Sequence, residues 1–279
     1  MTAADIIVPV ERTPRSLRAI APARALAAQT GRGVHLLTVI PTESSSEDRR
    51  RELAREAQDH GIEPSRISVI KADLNTVPVG AEDSALWGVI AEAPDAMICM
   101  ATHARSAVGD MLLGSVATEM LNRAERPVVL TGPRLSADWD GPIRTLVVCL
   151  DGSPLSEAII PSAAQLARDT GAELFLVQAQ EPEVQASALS ADTVESGYVQ
   201  RIARQIHKEY GLQANWDVLH GTKPARAISE YVAAMPGTMV CMTTHGRTGM
   251  GKLAFGSVAR DVVHDVHCPV LAFRPADTD

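Results

Sequence analysis

The segment from Cys99 to Val129 recurs 142 positions later, without a gap, as Cys241 to Leu271. Cys, Met, Thr, His and Arg, the tetrapeptide Gly-Ser-Val-Ala and a closing Pro-Val come back in step. Further upstream an offset of 140 pairs Pro14 with Pro154 and Gly31 with Gly171. A repeat this long is a whole domain rather than a solenoid unit, so the chain is predicted to fold twice. Its 279 residues suit two ordinary domains, each able to bury a core. The expected division is residues 1–134, a linker over 135–142 (LSADWDGP, turn formers without apolar period), and residues 143–279.

Within the later copy, Thr238 to Ala259 reads as a strand, a glycine-rich loop and the start of a helix. Thr238 to Met242 is an apolar run without helical spacing, as an interior parallel strand requires. Gly246, Gly249 and Gly251 permit backbone conformations that let several N–H groups converge, and Gly256-Ser257 opens the helix. A helix start adds partial positive charge and free donors, with Arg247 and Lys252 as nearby cations. The predicted guest is a phosphate. In the earlier copy Ala101, Ala104 and Ala107 stand where Thr243, Gly246 and Gly249 stand later, so a poorer pocket is predicted there.

Thr-His-Gly-Arg at a strand end, eight residues, Gly-Ser-Val-Ala and a later Pro-Val strand resemble the universal stress protein family. The resemblance covers nearly the whole chain, twice. Nucleotide-binding members carry Gly, two residues, Gly, nine residues, then Gly and Ser or Thr. Gly246, Gly256 and Ser257 match this pattern and Thr243 replaces its first glycine; in the earlier copy Gly114 and Ser115 match, while Ala101 and Ala104 depart. The resemblance implies a tandem stress protein holding ATP, with or without Mg, chiefly in the second half. Its phosphates would meet Gly246, Arg247, Gly256, Ser257 and Val258 beside Thr243 and His245. Asp151 would face the nucleoside and the backbone of Ala179 the adenine, with Val39, Gly114, Ser115 and Val116 as weaker counterparts. It also implies antiparallel pairing of the last strands, here within one chain, and leaves room for a homodimer.

The residues themselves leave alternatives open. Asp151 serves equally as an Asx turn onto the Ser153 amide. In the first copy Glu11 and Arg12 crowd the place of Asp151 and Gly152. His103 and His245 read as packed loop residues rather than bases, because no nucleophile or carboxylate accompanies them. Gly246 to Leu253, GRTGMGKL, lacks the Ser or Thr a P-loop needs for magnesium. Gly249-Met250-Gly251 follows the fourth strand rather than the first, against a dinucleotide fingerprint. No G-x-S-x-G elbow occurs, and Ser153 reads as a helix cap. A binding module is therefore expected. The alternatives are a weak ATPase and a scaffold that binds no nucleotide.

Formal charge is 26 − 34 = −8, and Arg49 to Arg51 sit among acids as a solvated helical face, so nucleic acid is not an expected partner. The opening MTAADIIVPVERTPR lacks a positive leader, and no apolar run nears the ~20 residues of a membrane span. A cytoplasmic protein off the membrane is expected. Cys99, Cys149, Cys241 and Cys268 show no CxxC spacing and read as buried apolar residues; His264, His267 and Cys268 read as structural rather than metal-binding. The fold class predicted for each half is α/β, a five-stranded parallel sheet with helices on both faces.

Overall fold

A computed structural model of the protein describes residues 5–72, 81–102, 114–136, 139–180, 188–245 and 255–275. The first half runs β1 (Ile6–Pro9), a 3-10 turn (Ser16–Ala19), α1 (Ile20–Thr30), β2 (Val34–Pro41), α2 (Ser46–Asp59), β3 (Arg66–Ala72), α3 (Ala81–Ala91), β4 (Met97–Ala101), α4 (Ser115–Arg123) and β5 (Val128–Thr131). The second runs β6 (Thr145–Leu150), α5 (Pro154–Glu157), α6 (Ile160–Thr170), β7 (Glu173–Gln180), α7 (Ala188–Tyr210), β8 (Ala214–His220), α8 (Pro224–Ala233), β9 (Thr238–Thr243), α9 (Ser257–Asp265) and β10 (Val270–Phe273).

Each half is the expected five-stranded parallel sheet. The halves join by antiparallel pairing of β5 with β10, Leu130 opposite Val270 and Val128 opposite Ala272, in one sheet ordered β3-β2-β1-β4-β5-β10-β9-β6-β7-β8. Two short strands that would otherwise be bare edges thus cover each other. Side chains alternate across the sheet: Ile6 and Val8 enter one apolar layer and Ile7 the other. Both layers contain residues from both halves, so the cores are continuous through the junction. Helices cover both faces, which is why interior strands such as Met97–Ala101 read as unbroken apolar runs.

The first helix of each half is not continuous. It breaks into a short turn and a longer helix, with Pro22 and Pro161 near the start of α1 and α6. Each proline lacks an N–H and its ring would collide with the carbonyl four residues back, Arg18 or Glu157, in the last residues of the shorter turn. Gly31 and Gly171 close the longer helices at φ of 69° and 73°, a left-handed conformation that glycine adopts without a Cβ clash.

Arg49 corrects another expectation, since its side chain is fully buried rather than solvated. It donates to Glu52 at 2.8 Å, to Glu56 at 3.4 Å and to the Glu11 carbonyl at 3.2 Å. The segment between the halves is packed too: Leu135 and Ile143 are buried, Trp139 lies against the core and Asp140 pairs with Arg24. No described helix is long and apolar enough to cross a membrane.

Candidate functional site

A cleft of about 240 Å³ lies at the carboxyl ends of the parallel strands of the second half. Strand ends form its floor: Cys149 and Leu150 at the end of β6 with Asp151 just beyond, Ala179 in β7, and Met242 to His245 at the end of β9. Pro224 and Ile228 of α8 form one wall, and Gly256 to Ala259 at the start of α9 form the other. The edge is open because the loops leave there and helix starts point inward.

Backbone contacts fix where α9 begins. The Thr244 N–H donates to the Phe273 carbonyl at 2.8 Å, and the Gly256 N–H donates to the Thr244 carbonyl at 2.7 Å. A Cβ at Gly256 would lie 3.2 Å from that carbonyl oxygen, so close approach rather than an unusual φ explains this glycine. The Gly256 carbonyl takes the first helical hydrogen bond, from Arg260 at 3.0 Å, and Gly256 at the N-cap position makes no side-chain cap hydrogen bond. The amides of Ser257, Val258 and Ala259 therefore stand at the positive end of α9, beyond the reach of the intrahelical ladder.

The polar rim is built from short local bonds. Asp151 Oδ1 accepts from the Ser153 N–H at 2.9 Å and the Ser153 hydroxyl at 2.6 Å. Ser153 Oγ accepts from the Ser156 N–H at 3.1 Å, which makes it the expected helix cap. Ser156 Oγ accepts from the Asp151 N–H at 3.2 Å, closing the turn. The Asx turn expected for Asp151 is thus present, and the residue also borders the cleft. Across the cleft the Thr243 hydroxyl donates to the His245 carbonyl at 2.7 Å, and Thr244 Oγ1 lies 3.0 Å from His245 Nδ1. Burial pushes the Cys149 thiol well up from its usual range, the neighbouring Cys268 adding to this, so Cys149 contributes a neutral, apolar surface.

Of the residues expected at the site, Asp151, Ala179, Thr243, His245, Gly256, Ser257 and Val258 meet around this cleft. Gly246 and Arg247 lie outside the described residues, as do Gly249, Gly251 and Lys252. In the first half the Gly114 N–H donates to the Thr102 carbonyl at 2.7 Å, repeating the later arrangement, and Ser115 and Val116 open α4. Val39 in β2 packs half-buried against the apolar layer shared with α3 and α4. His103, Ala104 and Ala107 lie outside the described residues.

Sequence reasoning missed the apolar lining, namely Cys149, Leu150, Met242, Pro224 and Ile228, together with Ser156, Thr244 and Ala259. The spacing of Pro224 and Ile228 held a signal, since residues four apart share a helix face. Among the described residues no group of three or more His, Cys, Asp or Glu could hold a metal ion; His264 instead contacts Asp265 at 3.0 Å.

A model of the Universal stress protein family matches residues 4–132 and again 142–274. The chain belongs to the universal stress protein family. A universal stress protein of Mycobacterium tuberculosis is 28% identical over 185 residues, covering 64% of this chain and 61% of the relative. The chain thus matches about three fifths of the length of such mycobacterial relatives. A universal stress protein of Methanocaldococcus jannaschii is 27% identical over 140 residues, 47% of this chain and 82% of the relative. Among solved structures, a universal stress protein from Archaeoglobus fulgidus superimposes with a TM-score of 0.61 at 17% identity, covering 98% of this chain and 99% of that one. A Pseudomonas aeruginosa protein gives 0.65 at 19%, covering 98% and 93%. At such identities the superpositions establish the shared fold.

Proposed function

We propose that this tandem universal stress protein binds an adenine nucleotide, ATP, in its second half and acts as a regulatory binding module in the stress response. The observation that carries this reading is the first turn of α9, whose N-cap is a glycine, opening onto a cleft bordered by Asp151 and floored by Ala179 and Met242. Amides at a helix start suit a polyphosphate, and an apolar floor suits a purine. In this reading Gly256, Ser257 and Val258 receive phosphate oxygens with Gly246 and Arg247, and Thr243 and His245 border them. Asp151 faces the ribose, and Ala179 the base. Gly114, Ser115, Val116 and Val39 form the weaker counterpart. Magnesium would travel with the nucleotide, because Asp151 Oδ1 is already engaged by Ser153.

The state of the nucleotide is read by other proteins, and a homodimer of the tandem chain is compatible with that role. Four buried, unpaired cysteines fit a reducing compartment such as the cytoplasm. A scaffold that binds no nucleotide is the competing reading, favoured by Thr243, whose methyl occupies space a glycine would leave open. Native mass spectrometry of the full chain with ATP separates them. One equivalent that is lost in Ser257→Asp supports the proposal; none at millimolar ATP supports the scaffold. ATP turnover abolished by the same substitution would point to the weak ATPase.

A further inference from the structure

At the outer edge of the second half, β8 ends the sheet, and a groove of about 420 Å³ separates its amino end from the carboxyl-terminal part of α7. Ala203, Arg204 and His207 border it from the helix, and Gln213, Ala214 and Trp216 from the strand side. The helical three lie three and four apart on one stripe, beside the buried Ile202 and Ile206. Among the described residues only Trp216 and Val258 are large apolar side chains left exposed, and Val258 belongs to the nucleotide cleft. The internal repeat shows what the strand position holds otherwise. Leu36 and Leu176 correspond by the offset of 140; Leu36 pairs with Ile67, and Leu176 with Trp216. Ile67 is half-buried and packs against the core, whereas the larger indole in the same place stays 40% exposed.

The polar groups around that indole are donors. Arg204 has no ion pair or hydrogen bond among the described residues. Gln213 Nε2 lies 3.2 Å from His207 Nδ1; by donating there, the amide holds the imidazole with its proton on Nε2 and leaves that N–H for a guest. No carboxylate borders the groove. Asp217, next in the strand after Trp216, lies on the other face of the sheet, where it accepts from the Tyr231 hydroxyl, and its Oδ1 accepts from the Val218 N–H at 2.8 Å. Glu209 is engaged by Gln205 at 3.1 Å. In a chain of formal charge −8, this groove carries a cation and N–H donors with no acid to answer them.

We propose that this groove binds a small aromatic carboxylic acid, its ring against Trp216 and its carboxylate at Arg204, with His207 as a second donor. A planar ring gains contact with the exposed indole that an aliphatic acid cannot match, and a carboxylate gains a charged partner that a neutral aromatic lacks. Ala203 and Ala214, small side chains on either wall, leave the room a flat ring needs. The groove sits at the amino end of β8, whereas the nucleotide cleft sits at the carboxyl ends of the strands, so the two sites are separate and this one stands independently of nucleotide binding.

Calorimetric titration of the full chain with naphthoate, naphthamide and cyclohexanecarboxylate tests this. Naphthoate is expected to bind with a dissociation constant of about 1 mM or tighter, and each of the other two at least about threefold more weakly. Trp216→Leu should weaken naphthoate about tenfold. Arg204→Gln should weaken it about threefold and erase the preference over naphthamide. Both side chains are exposed, so thermal stability should be retained; should the leucine variant fail to fold, the Arg204→Gln comparison decides alone. The proposal is overturned if naphthoate does not saturate by about 10 mM, if naphthamide binds equally well, or if either folded variant binds naphthoate as the native chain does. Displacement of naphthoate by ATP would place it in the nucleotide cleft, and self-association lost in Trp216→Leu would assign the groove to a second copy of the chain; each would overturn it too.

Discussion

Thr243 stands where the family's nucleotide pattern has its first glycine, and its hydroxyl ties the end of β9 to the carbonyl of His245 at 2.7 Å. Both residues are buried at the point where the chain leaves the sheet. A glycine there would leave the carbonyl to find another donor; threonine supplies one from its own side chain. The substitution thus exchanges free space beside the cleft for a fixed exit direction.

Thr243→Val keeps the shape and removes the donor. It is expected to cost about 1–2 kcal/mol, seen as a fall of several degrees in Tm, because a buried carbonyl loses its partner. Thr243→Ser should retain most of that stability. Equal Tm values for native chain and valine variant would show that the hydroxyl contributes nothing.

Gly114 and Gly256 occupy matching positions with different clearances. A Cβ would lie 2.8 Å from the Thr102 carbonyl oxygen at Gly114 and 3.2 Å from the Thr244 carbonyl oxygen at Gly256. Gly114→Ala should therefore destabilise the fold by about 1–3 kcal/mol, and more than Gly256→Ala does. For ATP the order reverses: Gly256→Val should abolish binding with the fold retained, and Gly114→Ala should leave the affinity within about twofold. Denaturant titration and calorimetry together read both orders. Unchanged affinity in Gly256→Val would mean the phosphates lie elsewhere.

The repeat made the architecture legible, since apolar strands alternating with amphipathic helices, twice, leave few arrangements. Gly256 and Ser257 were legible for the same reason. Cys149, Met242 and Ile228 were not, because an apolar residue at a strand end or helix face looks the same whether it packs on a neighbour or borders a cleft. Arg49 misled for a related reason. The local run Glu47 to Glu52 reads as a charged surface, and only the three-dimensional position of the Glu11 carbonyl reveals that one arginine turns inward.

That inward arginine can be weighed directly. Its partners Glu52 and Glu56 remain partly exposed, so removing the cation leaves no buried anion behind. Its Nε is buried without an acceptor. Arg49→Met, similar in length and neutral, should change stability by no more than about 1–2 kcal/mol. Arg49→Ala should cost about 2–4 kcal/mol through the cavity it opens. Equal losses in both variants would show that the charge, not the volume, is what the site requires.

His35 makes stability depend on pH. It is buried in β2, its Nε2 lying 2.9 Å from Ser68 Oγ. Burial, and then the Arg66 cation, push its pKa below the ordinary 6.5, with Asp5 opposing them. The unfolded chain therefore takes up the proton more readily than the folded one. It follows that this contribution is intact above pH of about 6.5 and is lost as pH falls through the lower folded value. The native chain should lose more stability than His35→Gln between pH 7.5 and pH 5, by about the difference the buried imidazole makes. Urea titrations at both pH values measure it. Parallel losses in the two proteins would place the proton uptake on another group.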